Sequence, residues 1–255
     1  MSVLKLAKKY IVDSQIYVSL MGTMWAAFFF LEQNTFRFPK LYLIFLTFFS
    51  GYLYTKYQGR GRIFKKILIF NFFTGIICVL LIIRNHNEIV LLKWLLIVIL
   101  GLLYNSNFLA STIRNIPFVK IFYVGLVWAL SFGFLGLPKV NWPIIGFSFF
   151  FISALVLPFD IRDVKYDTVV TFPTLIGIKN TKLLAYFLII LANIINILFF
   201  RIDSIITLLL TSFISCILIF FASENKTDAY FSFWVESCLG LPLIIYLVIK
   251  YYLLF

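Results

Sequence analysis

The chain has ten acidic residues among 255. Three of them, Asp160, Asp163 and Asp167, fall within eight positions in the segment Asp160-Ile-Arg-Asp163-Val-Lys-Tyr-Asp167. At about 100° per residue, spacings of i, i+3 and i+7 place the three carboxylates within about 60° of one helix face, with Arg162 and Lys165 pointing the other way. Carboxylates so grouped repel one another unless a cation sits among them. Oxygen-only ligands suit Mg2+, which keeps several waters and is commonly held by one or two carboxylates together with substrate phosphates. Such a cluster would recruit a diphosphate. The same spacing also describes a solvated helical turn whose acids are offset by Arg162 and Lys165, and spacing alone does not choose between the two.

The elements that must carry this cluster are membrane helices. The composition is 63% hydrophobic, 20% aromatic and 13% charged, against about 45–50% apolar and about 25% charged in soluble domains. That excludes a secreted disulfide scaffold, a Rossmann-type enzyme and a disordered chain, and a transmembrane barrel would need alternating polar and apolar residues. Apolar runs fall near 10–31, 41–57, 66–83, 89–109, 118–137, 142–159, 183–200, 204–221 and 229–255. The expectation is an all-α integral membrane protein of about nine spans, one domain over 1–255, with the first run read as a span and not a cleaved signal. The fourth run carries Lys93 and is the weakest of the nine. Cys78, Cys216 and Cys238 sit inside apolar runs as small hydrophobes, and a single histidine, His86, excludes a multi-histidine metal site.

The net charge of +12 is a topology signal and not a nucleic-acid footprint. Alternating connections put fifteen of the 22 basic residues on the side of the amino terminus, including Lys56, Arg60, Arg62, Arg114, Lys120, Arg162 and Lys165. The other side takes seven: Arg37, Lys40, Arg84, Lys93, Lys139, Arg201 and Lys250. The amino terminus and the long connection at 160–182 are therefore expected in the cytoplasm.

Pro158-Phe-Asp160-Ile-Arg-Asp163-Val-Lys-Tyr-Asp167, followed by Thr171-Phe-Pro173-Thr-Leu-Ile-Gly177, resembles the second aspartate motif and trailing segment of the UbiA superfamily of intramembrane prenyltransferases. Leu103-Tyr104, Arg114-Asn-Ile-Pro117 and Val127-Trp128-Ala129 resemble its central segment more weakly. The resemblance implies a ring of nine helices around a central cavity open to lipid. It also implies two aspartate-rich motifs that hold Mg2+ on a prenyl diphosphate, and transfer of the prenyl group to a lipid-soluble acceptor within the membrane. Asp160, Asp163 and Asp167 would then be the catalytic metal ligands. Departure of diphosphate leaves an allylic cation, which needs a neutralised leaving group and aromatic faces for the carbon charge.

The first motif of that family belongs at the end of the second span, where this chain reads Phe49-Ser-Gly-Tyr52-Leu-Tyr54-Thr-Lys56-Tyr57-Gln58-Gly-Arg60-Gly-Arg62. No Asp or Glu occurs between Glu32 and Glu88. Lys56, Arg60 and Arg62 stand where acids are expected and could contact phosphate oxygens directly, although topology and anionic-lipid contacts explain them as well. Arg114 and Lys120 carry the same two readings. Tyr166 lies inside the aspartate segment as a further candidate for lining the site. Glu236 lies about 12 Å inside the ninth run and is a cavity candidate, while Asn71, Asn193 and Asn196 read as interhelical hydrogen-bonding residues. Two functions remain open: a UbiA-type transferase with an altered first site, and a non-catalytic relative that binds an isoprenoid or similar lipid. A transporter of unrelated fold is more distant, since no matching pair of Gly/Pro-interrupted spans stands out.

Overall fold

The computed structural model describes residues 15–85, 88–104, 119–165 and 170–253. Among the described residues the elements are helical throughout: α1 (Ile16–Glu32), α2 (Phe38–Tyr57), α3 (Gly61–Arg84), α4 (Glu88–Leu103), α5 (Val119–Leu130), α6 (Trp142–Asp163), α7 (Phe172–Phe199), α8 (Ile202–Phe221) and α9 (Leu241–Leu253). A π-helical turn, Ser131–Leu135, extends α5, and a second, Tyr230–Val235, precedes α9. Asn141 caps α6 by accepting the Ile144 N–H, and Pro143 falls in the first turn, where its missing donor is harmless.

Each helix packs against its successor and α9 packs against α1, so the contacts close into a cycle. Polar contacts fix the alternation of direction. Lys40 at the start of α2 donates to the Gly136 carbonyl, and Lys93 near the start of α4 donates to the Leu137 carbonyl, so both reach the end of α5. At the opposite end, Lys120 at the start of α5 meets Asp160 at the end of α6. Lys93 is buried with its ammonium 4.9 Å from the Phe134 ring centroid. The fourth run tolerates this lysine because the free carbonyls after a helix end accept its protons.

The exterior is apolar. α3, α6, α7 and α8 are each long and apolar enough to cross a membrane, and α3 exposes Ile69, Phe72, Phe73 and Leu80 on its outer surface. Soluble monomers rarely expose patches of that extent. The chain is an integral membrane protein. α6 is the most enclosed of the four candidate spans, and the interior beside it is filled by rings. Trp25 of α1 stacks on Phe151 and Phe147 at centroid distances of 5.0 and 5.9 Å, and its indole N–H donates to Ser148 Oγ at 3.1 Å. Phe48 of α2 stacks on Trp128 of α5 at 4.6 Å.

Two seams set the spacing of the bundle. A Cβ on Gly125 of α5 would collide with Ser153 Oγ and lie 2.9 Å from the Phe149 carbonyl, so this glycine lets α5 and α6 approach closely. Between α7 and α8, Asn193 donates to Ser212 and Asn196 to the Ile205 carbonyl, and Asn71 of α3 donates to the Ser50 carbonyl of α2. These are the interhelical bonds expected of the three asparagines. The connection after α6 is shorter than its polar sequence suggests. Thr171 and Thr174 form a capping box that starts α7 at Phe172, and Gly177, at φ 78°, then breaks the helix before its long apolar part.

Candidate functional site

A cavity of about 600 Å³ opens at the end of the ring where α1 begins and α2 and α6 finish. Charges line it: Lys56 at the end of α2, Arg162 and Asp163 at the end of α6, Asp228 from the segment before α9, and Glu236 eight residues further along that segment. Its depth is apolar and aromatic, with Val18, Tyr52, Trp128, Ile152 and Leu155 on the walls. From Arg162 back to Phe151 is about 16 Å along α6 at 1.5 Å per residue, and there the stacked rings of Trp25, Phe147 and Phe151 close the interior.

The last turn of α6 sends its two described aspartates to different places. Asp160 is buried, its side chain 2% exposed, and accepts from Lys120 Nζ at 2.8 Å. Asp163 faces the cavity and is held by Arg162 through a bidentate fork, Nε to Oδ1 at 2.6 Å and Nη2 to Oδ2 at 2.8 Å. Asp160 and Asp163 keep the angular spacing expected of one helix face, but they meet different partners. A separation of about 60° suffices to part the two acids, because this turn lies at the corner between α5 and the cavity. Arg162, expected on the far side, brings its long arm round to Asp163, and its guanidinium carbon lies 5.4 and 5.7 Å from the ring centroids of Phe159 and Phe231.

The other sequence candidates divide in the same way. Lys56 and Glu236 line the cavity. Arg60 and Arg62 are exposed and lie outside its lining, with Arg60 over the Tyr57 ring at 5.3 Å. Arg114, Tyr166 and Asp167 lie outside the described residues. Sequence reasoning passed over Asp228 and named Tyr166 as its one aromatic candidate, whereas Tyr52 and Trp128 line the walls. The π-helical turn Tyr230–Val235 gives no sequence signal, yet it sets which residues of that segment, including Ser232 and Glu236, face inward.

Of the three aspartates expected to hold Mg2+, Asp167 lies outside the described residues and the other two are each paired with a cation of the chain. Mg2+ needs octahedral oxygen ligands and keeps several of its waters, but Asp160 is enclosed with Lys120 and both oxygens of Asp163 are engaged by Arg162. The end of α2 contributes no acid. Among the described residues no three of His, Cys, Asp and Glu gather in a group able to hold a metal ion.

No protein-family model and no curated protein matches the sequence. The fold is similar to a solved structure of digeranylgeranylglyceryl phosphate synthase in membranes, at a TM-score of 0.60 over 97% of this chain and 98% of that one, with 17% identity. At that identity the likeness is one of fold alone.

Proposed function

We propose that the chain is a UbiA-like intramembrane prenyltransferase, which takes a prenyl diphosphate into the α2–α6 cavity and transfers its prenyl group to a lipid-soluble acceptor. The observation that carries this reading is the lining of one cavity, with charges where α2 and α6 end and aromatic rings further in, inside a closed cycle of the described helices. The diphosphate sits at the mouth beside Lys56 and Arg162, and the prenyl chain lies toward Tyr52, Trp128 and Leu155. When the allylic C–O bond breaks, its electrons leave with the diphosphate, the carbon left positive faces aromatic rings, and the acceptor's nucleophilic atom bonds to that carbon as its proton passes to a carboxylate of the lining or to water at the mouth. Glu236 and Asp228 offer acceptor oxygens to a hydroxyl-bearing co-substrate, and Arg60 and Arg62 form a basic rim that attracts anionic headgroups.

The second reading, an isoprenoid-binding relative without catalysis, is favoured by one observation: both described aspartates of α6 are matched by cations of the chain. Purified protein incubated with labelled prenyl diphosphates and a panel of lipid-soluble acceptors separates the two. Prenylated product with stoichiometric diphosphate release supports transfer. Saturable binding without product supports the second reading, and neither binding nor product contradicts both. We also propose that the amino terminus and the cavity mouth face the cytoplasm. Single cysteines at 61 and 140 should then label from opposite faces of the membrane, and labelling from one face would refute the alternation.

A further inference from the structure

One wall of the cavity is laid down by a single helical stretch. Asp228, Ser232, Val235, Glu236 and Leu239 all line it, at intervals that keep one face turned inward through the π-helical turn. Within that face the polar residues recur every fourth position, as Asp228, Ser232 and Glu236. Asp228 is exposed, whereas Glu236 is flanked by the buried Val235 and Leu239. The adjacent Ser237 is occupied elsewhere: it shares a hydrogen bond with Tyr17 of α1 and donates to the Phe233 carbonyl. Among the described residues no hydrogen bond or ion pair engages the Glu236 carboxyl. Asp163, the third carboxylate of the lining, is held by the Arg162 fork. Glu236 is therefore the lining carboxyl that is set among apolar side chains and open to a ligand, within electrostatic reach of Arg162 and Lys56. A carboxyl so placed in a membrane bundle calls for a function.

Resting on the prenyl-transfer reading, we propose that Glu236 is the base of the reaction: its carboxylate takes the proton of a hydroxyl-bearing lipid acceptor, and Ser232 and Asp228 lead that proton out along the same wall. The acceptor's oxygen uses a lone pair to form the new bond to the allylic carbon. The C–O bond to the diphosphate breaks with its electron pair leaving on the diphosphate. The acceptor's O–H bond breaks with the proton passing to a Glu236 oxygen, and the proton ends in water beside Asp228. An alcohol oxygen becomes strongly acidic as it is alkylated, so its proton needs an acceptor within hydrogen-bond reach. Among the described residues of the lining, Glu236 is the carboxyl beyond the exposed end that no cation of the chain holds in an ion pair. The acceptor class that fits this wall is a lipid that reacts through a hydroxyl oxygen and not through a ring carbon.

The test is transfer from farnesyl diphosphate, by protein in nanodiscs with Mg2+ present, to hexadecanol and to the more acidic 4-dodecylphenol, with binding of farnesyl diphosphate measured alongside. The wild type should form ethers with both. Glu236→Gln should slow ether formation at least about hundredfold with hexadecanol and less than about tenfold with 4-dodecylphenol, because a base matters most to the acceptor that parts with its proton least readily. Its affinity for farnesyl diphosphate should stay within about threefold of wild type. Glu236→Asp keeps a carboxylate and should recover part of the rate, and Ser232→Ala should slow transfer to hexadecanol about threefold, so a folding failure of one variant leaves two others to measure. Equal losses with the two acceptors, or a folded Glu236→Gln variant with wild-type rates, overturn Glu236 as the base while the transferase reading stands. Wild-type turnover in Ser232→Ala overturns the exit path. Product joined only at ring carbon overturns the hydroxyl class, again leaving the transferase reading in place. No product from the wild type overturns the base and the transferase reading together.

Discussion

The ends of α2 and α6 deliver charge to one cavity in opposite ways. α2 ends with a cation facing inward, Lys56, and leads into two more, Arg60 and Arg62, that stay exposed outside the lining. α6 ends in two described aspartates, each engaged by a cation of the chain. The difference teaches that acidity in sequence is not acidity in the site. A carboxylate can be enclosed as a structural ion pair, as Asp160 is, or stand at the mouth with a cationic neighbour, as Asp163 does.

The sharpest way to break the contrast is to take Lys120 away from Asp160. Lys120→Met would leave a carboxylate enclosed without its cation, and stability in detergent should fall by about 3 kcal/mol. Asp160→Asn in the same background should restore most of it. A single Lys120→Met variant as stable as the wild type would show that the pair is not structural. Next in size is the seam that brings the pair together: Gly125→Leu overpacks α5 against α6 and should lower stability by about 1–3 kcal/mol, read from thermal unfolding. An unchanged melting temperature would mean that the helices separate freely there.

The α2 end is sharpened by comparing its own cations. Lys56→Gln should weaken binding of farnesyl diphosphate by about tenfold, because its ammonium lies in the lining of the site. Removing Arg60 and Arg62 together should change affinity by less than about threefold at physiological salt, since exposed charges are screened. Equal effects from the two sets would erase the distinction between lining and rim.

Much of this architecture was legible in the sequence. Nine apolar runs, the polar breaks between them and the interhelical roles of Asn71, Asn193 and Asn196 follow from the need to satisfy every backbone and amide group away from water. Glu236 was legible as well, because a carboxyl deep in an apolar run has few places to go except an internal cavity. The directions of side chains at the end of α6 were not. Helical periodicity gives angles within one helix, but which neighbour lies at each angle depends on packing, here on Gly125 drawing α5 close. Long side chains loosen the rule further, since Arg162 reaches Asp163 across its own helix end. The π-helical turn at Tyr230–Val235 shifts the register of the residues after it without a residue pattern to announce it.

The central claim is that a prenyl diphosphate enters the α2–α6 cavity with its diphosphate end at the side of Lys56 and Arg162 and its prenyl chain inward. A structure of the protein with a non-hydrolysable farnesyl diphosphate analogue, prepared in the presence of Mg2+, tests it most directly. The account predicts phosphate oxygens within hydrogen-bond distance of Arg162 and Lys56, the farnesyl chain directed toward Trp128, and Asp160 still on Lys120. A headgroup seated outside the cavity, or a farnesyl chain directed away from Trp128, would contradict it.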